Sequence, residues 1–282
     1  RPLLFDTVKA EAPYCYRCPF GKTYPACDLF CADEMEARVR EHAEELAAFI
    51  VEPVMQGAGG MIVAPEGFLK RVRKVCEECD VLLIADEIAT GFGRTGTMWA
   101  CEREGVVPDL MAIAKGITGG TLPLAATLAT EEVYGAFLGD AASMRTFFHG
   151  HTYTGNPIAC AAALANLDIF EEERTLDRLP GKIDLLAGEL DRMKARPHVG
   201  EIRQRGLMAG IELVLDLETK APYPPEERVG HQVAIEARKR GLIIRPLGNV
   251  VVLMPPLATP DEVLREIVRT TDESIRAATE TN

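Results

Sequence analysis

The chain has 282 residues, of which 47% are apolar, enough for one large domain plus a smaller one around a sizeable core. Its net charge of −12 argues against non-specific binding to nucleic acid or to an anionic membrane. No apolar run reaches the length of a membrane span.

The chain opens at Arg1-Pro2-Leu3-Leu4, without Met and without a signal-peptide pattern, as expected of a processed chain or the later part of a longer one. Cys15, Cys18, Cys27 and Cys31 then cluster in a stretch with many Pro and Tyr. Their C-x2-C and C-x3-C spacings suit zinc. No second conventional knuckle or nearby His accompanies them, so reduced thiols of a cytoplasmic protein are expected, with no metal. Residues 34–47 are predicted as a helix and 48–54 as a buried strand. A helix over 65–79 takes Pro65 near its start. Cys76 and Cys79 lie near its end, where packing is expected, because a redox CxxC opens a helix after a strand.

Residues 81–85, 110–114 and 125–130 read as further strands. This βαβ rhythm implies an α/β fold whose largely parallel sheet is covered on both faces. Residues 157–170 form a helix of small residues. The charged run Glu171-Glu172-Glu173-Arg174 marks the expected change from a large domain, residues 1–172, to a small C-terminal α/β domain, residues 173–282. In the latter the pattern predicts a helix near 180–195, a strand over 206–215, a helix near 226–240, strands within 241–254, and a last helix from Pro260.

Two charges end apolar runs: Asp86 after Val81-Leu82-Leu83-Ile84-Ala85, and Lys115 after Leu110-Met111-Ala112-Ile113-Ala114. Each sits at the carboxyl end of a strand, where open α/β sheets bind ligands. Either charge alone reads as an ordinary strand end reaching water. Together, followed by Gly116 and Gly119-Gly120, they suit pyridoxal phosphate. The lysine condenses with its aldehyde, and the aspartate keeps its ring nitrogen protonated. Burial of Lys115 in a cleft is expected, to favour the neutral amine.

Gly91-Phe92-Gly93-Arg94-Thr95-Gly96 matches G-x-G-x-x-G but does not turn directly from strand to helix, so a flexible loop over a cofactor is the preferred reading. Asn156-Pro157 suits a helix start, with Asn156 as N-cap, and the polar turn from Phe148 to Gly155 suits a phosphate. His149 and His151 have no acidic or Cys partner at ligand spacing, so no metal is assigned. Arg245, on an apolar strand, is either an ion-pair partner or a clamp on a carboxylate.

These residues resemble the class III pyridoxal-phosphate aminotransferases of fold type I, from about Tyr14 to the C-terminus. The matching stretches are Glu52-Pro53-Val54-Met55-Gln56-Gly57-Ala58-Gly59-Gly60-Met61, Ala85 to Gly96, Lys115 to Thr121, and His149-Gly150-His151-Thr152 with Gly155-Asn156-Pro157. The resemblance implies that Lys115 is the Schiff-base lysine and proton shuttle. It implies that Asp86 pairs with the pyridinium nitrogen and that Ile88 packs on the ring. His151 and Thr152 would reach the cofactor phosphate of a partner subunit in a homodimer. Gly150 would line the substrate site and Arg245 would hold the oxo acid's carboxylate. Many relatives acting on ω-amino acids carry Glu at the position of Ala58. Its absence favours the branch that aminates 8-amino-7-oxononanoate to 7,8-diaminononanoate in biotin synthesis, with S-adenosylmethionine or lysine as donor. The family's phosphate-cupping turn and ring-stacking aromatic have no counterpart here, so the chain resembles a C-terminal portion. The alternatives are an ω-amino acid:pyruvate aminotransferase and a catalytically incomplete fragment.

Overall fold

The computed structural model describes residues 6–280; the opening Arg1–Leu4 lies outside them. Helix α1 spans Phe30–Glu41 and buries Ala32, Met35 and Val39. It starts earlier than the predicted 34–47, after Leu29 in a left-handed conformation, and ends at His42. Strand β1 (Ala48–Val51) follows, then a small hairpin of β2 (Met55–Gln56) and β3 (Ile62–Val63). Helix α2 (Phe68–Glu78) buries Phe68, Leu69, Val72, Val75 and Cys76, the one-sided apolar stripe of an amphipathic helix. Cys76 is fully buried there and Cys79 packs against the same core.

Strands β4 (Leu82–Asp86), β5 (Leu110–Ile113) and β6 (Ala126–Ala129) complete a sheet of order β1-β4-β5-β6. β1, β4 and β5 are parallel, but β6 runs antiparallel to β5. The connection between them holds only a 3-10 turn, Lys115–Thr118, too little for a crossover that would return the chain in parallel. Helices α1 and α2 cover one face, where Phe49, Val51, Leu83, Ala85 and Met111 join their core. On the opposite face Ile50 is 66% exposed in this chain.

Short α3 (Glu131–Gly135) and long α4 (Pro157–Glu172) follow. Asn156 caps α4 by accepting from the N–H groups of Ile158 (2.9 Å) and Ala159 (3.3 Å), with Pro157 in its first turn.

Helix α5 (Thr175–Asp191) begins earlier than predicted and carries Pro180 inside it. Pro180 suggests a first helical turn because that position needs no N–H donor, but packing of Leu179, Leu186 and Leu190 holds the helix through it. The strand predicted over 206–215 is β8 (Met208–Leu213), and the hairpin partner before it, β7 (Val199–Arg205), is not predicted. β7 turns at Gly206 into β8. A side chain at Gly206, whose φ is +60°, would stand 2.2 Å from the Arg94 carbonyl oxygen, so only glycine fits. With α6 (Val229–Lys239), β9 (Arg245–Leu247), β10 (Val250–Leu253) and α7 (Asp261–Thr279), a second sheet of order β7-β8-β10-β9 forms, antiparallel throughout. Its core gathers Leu179, Leu190, Leu207, Ile211, Val251 and Ile275.

A buried charge cluster ties the N-terminal loop to this sheet. Arg203 Nη1 donates to Glu212 (2.5 Å) and Glu201 (2.6 Å), and its other nitrogens donate to the carbonyls of Gly60 (2.7 Å) and Met61 (3.0 Å). Tyr14 and Arg17 also donate to Glu212. Burial pushes the Glu212 carboxyl up, but the hydrogen bonds from Tyr14, Arg203 and Arg17 outweigh it and hold it below its usual range.

Cys15, Cys18, Cys27 and Cys31 line one void of about 10 Å³, roughly the room of a single water. All four are free thiols. Burial, then the neighbouring thiols, push Cys15 up to about 11 and Cys31 upward. Among the described residues no three His, Cys, Asp or Glu side chains are arranged to hold a metal ion.

Candidate active site

Asp86 closes β4 at the carboxyl edge of the parallel sheet, half-buried, and its Oδ1 accepts the Ile88 N–H at 3.1 Å. That bond turns the chain and fixes the carboxylate. The adjacent Glu87 points the other way, into the protein. It is fully buried and accepts from the Thr90 hydroxyl (2.6 Å) and the Cys101 N–H (2.9 Å). Burial pushes its carboxyl up, and those bonds offset part of the rise. Of the Asp-Glu pair, only Asp86 faces the site.

Lys115 begins the 3-10 turn after β5, with φ at +46°, a left-handed conformation costly for a non-glycine residue. The turn around it is over-determined, which is how such strain persists. Asn166 of α4 donates to the carbonyls of Gly116 (2.9 Å) and Ile117 (3.3 Å). Thr118 Oγ1 donates to Leu122 O at 2.6 Å. A side chain at Gly116 would meet Phe92 at 2.7 Å. The expected burial of Lys115 is corrected: the residue is exposed in this chain.

One site residue escaped the sequence reading. Glu52 follows β1 by one position, and the register Val51↔Ala85 sets it beside Asp86. Its Oε2 accepts the Gly57 N–H at 2.9 Å. Burial pushes its carboxyl up, the Gly57 bond opposes, and the charges of Asp86 and Lys115 act on it in opposite directions; the balance is upward. Glu52, Asp86 and Lys115 are therefore gathered at adjacent strand ends. In the sequence, Glu52 before Pro53 looks like any strand-end charge.

The glycine loop from Gly91 to Gly96 is not a flexible cover. Gly91, Phe92, Gly93 and Thr95 are buried. Phe92 packs edge-on against Trp99 with ring centroids 4.9 Å apart. Arg94 Nη1 donates to Pro255 O at 2.6 Å, and Leu207 N to Arg94 O at 2.9 Å, which binds the loop to the second sheet. Its glycines admit close packing instead of a pyrophosphate.

Gly150, His151 and Thr152 lie exposed before α4, and Arg245 lies exposed at the start of β9. His151 Nδ1 accepts the Tyr153 N–H at 3.1 Å, leaving Nε2 outward. Among the described residues, no hydrogen bond or ion pair joins these four to Asp86 or Lys115. Ile88, half-buried, stands two residues beyond Asp86. No helix among the described residues is long and apolar enough to cross a membrane.

A carboxylate acceptor and a primary amine that has no hydrogen-bonded partner among the described residues form the donor set that pyridoxal phosphate requires, and the residues fit it.

The comparisons agree. The family model for class-III aminotransferases matches residues 6–275. The adenosylmethionine-8-amino-7-oxononanoate aminotransferase of Nitratidesulfovibrio vulgaris is 57% identical over 279 residues, covering 99% of this chain and 52% of that protein. Its counterpart from Geobacter sulfurreducens is 56% identical, over 99% of this chain and 62% of that protein. The crystal structure of the enzyme of that name from Methanocaldococcus jannaschii superposes with a TM-score of 0.91 at 43% identity, covering 98% of this chain and 61% of the other. The chain thus spans between half and two thirds of the length of these relatives. The fold is that of the fold type I pyridoxal-phosphate transaminases. On its sequence, its fold and the residues at its strand ends, the chain belongs to the class-III aminotransferases, whose cofactor is pyridoxal 5′-phosphate.

Proposed function

We propose that the protein transfers an amino group to 8-amino-7-oxononanoate, giving 7,8-diaminononanoate, with S-adenosylmethionine or lysine as the donor. The observation that carries this is the convergence of Asp86 and Lys115 at adjacent strand ends, in a chain 57% identical to a relative named for that oxo acid. Ala58, on the exposed turn after β2, supports this branch over enzymes of ω-amino acids, many of which carry Glu there.

Pyridoxal phosphate, when bound, supplies an aldehyde that condenses with amines and a ring that accepts electrons. Lys115 Nζ would hold the cofactor's aldehyde carbon and would carry a proton to and from the reacting carbon of the substrate. Asp86, aimed by its bond from Ile88 N, would hold the proton on the ring nitrogen. The Ile88 side chain keeps water from the ring face. Arg245 clamps the oxo acid's carboxylate, and Gly150 leaves room beside it. His151 and Thr152, exposed on their turn, serve the cofactor phosphate of a second copy in a homodimer. The boundary between large and small domains falls near residues 172 and 173. Its support is that α4 ends at Glu172, while α5 packs into the core of the antiparallel sheet.

The test is product formation. The protein, supplied with pyridoxal phosphate, the oxo acid and either donor, should yield 7,8-diaminononanoate by mass spectrometry. No product with either donor, or turnover of β-alanine or putrescine with pyruvate instead, overturns the assignment.

A further inference from the structure

The carboxyl edge of the parallel sheet presents two acidic side chains where the chemistry described above uses one. β1 and β4 run parallel, with Ile50 opposite Ile84 and Val51 opposite Ala85. Continued by one residue, this register sets Glu52 level with Asp86. Side chains alternate between faces along a strand, so Glu52 and Asp86 share the face of Ile50 and Ile84, the one that α1 and α2 leave open. Neighbouring strands lie about 4.8 Å apart, so both carboxyl groups are within reach of one another. Ionised carboxylates held close to one another repel, which favours a proton on one of them.

The surroundings decide which. Asp86 accepts the Ile88 N–H on Oδ1 and stands where the ring nitrogen needs an anion. Glu52 accepts the Gly57 N–H on Oε2, and among the described residues no hydrogen bond engages its Oε1, which can carry a hydrogen. The charged groups facing Glu52 are Asp86 and Lys115. From this arrangement we infer that Glu52 is a positioning residue for Asp86: protonated on Oε1, it donates a hydrogen bond to the Asp86 carboxylate and keeps it aimed at the cofactor's ring nitrogen. Burial of Glu52 works in the same direction, since it disfavours the charged form. The inference rests on the reading of Asp86 as the ring-nitrogen partner.

The test uses Glu52→Gln and Glu52→Ala in the whole protein. Gln keeps an acceptor for Gly57 and offers an N–H to Asp86, so it preserves both the fold and the role; Ala removes both. Pyridoxal phosphate should bind Glu52→Gln within about threefold of wild type and Glu52→Ala about tenfold or more weakly, the loss expected of one hydrogen bond to a charged group. An infrared difference spectrum of wild type against Glu52→Gln at neutral pH, without cofactor, should show one protonated carboxyl band. Absence of that band, or unchanged affinity in Glu52→Ala, overturns the inference. If wild type binds no pyridoxal phosphate, or binds it independently of Lys115, the underlying reading falls and the positioning role with it. The infrared band separates the two failures, because it reports the proton on Glu52 alone.

Discussion

The two sheets are built on opposite principles. In the antiparallel sheet, all six residues of β8 are buried, with α5, α6 and α7 contributing to its core and the Arg203 charge cluster at its edge. In the parallel sheet, α1 and α2 pack on one face, while the other leaves Ile50 66% exposed and ends in Glu52, Asp86 and Lys115. The larger buried core belongs to the antiparallel sheet, and the candidate site residues to the strand ends of the parallel one. The strained Lys115 backbone belongs to the open sheet, braced by Asn166 and Phe92.

Substitutions on the two sheets should separate activity from stability. Lys115→Ala should lower product formation by roughly 10²–10⁴-fold or more while the melting temperature stays put, because the residue is exposed. Steady-state assay and calorimetry on the same sample check this, and a large loss of Tm would break the contrast. Arg203→Ala should cost about 3–5 kcal/mol in urea unfolding, because Glu212 and Glu201 lose a buried partner. The same cluster gives the wild type an acid limb. Glu212 is held below its usual range when folded, so its contribution is present above the unfolded carboxyl pKa, near 4.5. It is lost as pH falls through the folded value. An acid-unfolding curve measured with Glu212→Gln alongside should show a flatter limb in the variant.

Ile211→Ala, in the centre of the closed core, should cost about 2–5 kcal/mol. Ile50→Ala on the open face should cost less than about 1 kcal/mol, as an exposed substitution does. Similar losses at both sites would mean that the parallel sheet's second face is covered in solution. The smallest effect belongs to Asn156→Ala, about 1 kcal/mol from the lost cap of α4, read as a small drop in Tm.

Much of the site was legible because it is local. Asp86 and Lys115 each end an apolar run, and a strand buried along its length announces where it emerges. Asn156-Pro157 announces α4 by capping chemistry confined to neighbouring residues. Glu52 was not legible, since its meaning depends on β1 lying beside β4, strands some thirty residues apart in sequence. The G-x-G-x-x-G letters misled in the same way. Their glycines answer to Trp99, Leu179 and Leu257, neighbours that only the folded chain supplies. β7 was missed because its polar residues serve the buried charge cluster and leave no apolar alternation to read.

By itself, then, the sequence determined the order and type of the main elements, the family, and the two charges at strand ends, because propensity, capping and apolar runs act over a few residues. Only the tertiary structure decided that β6 runs antiparallel, that the glycine loop is packed, and that Glu52 stands beside Asp86. Each of these is set by which distant segments meet, and a linear pattern carries no record of that.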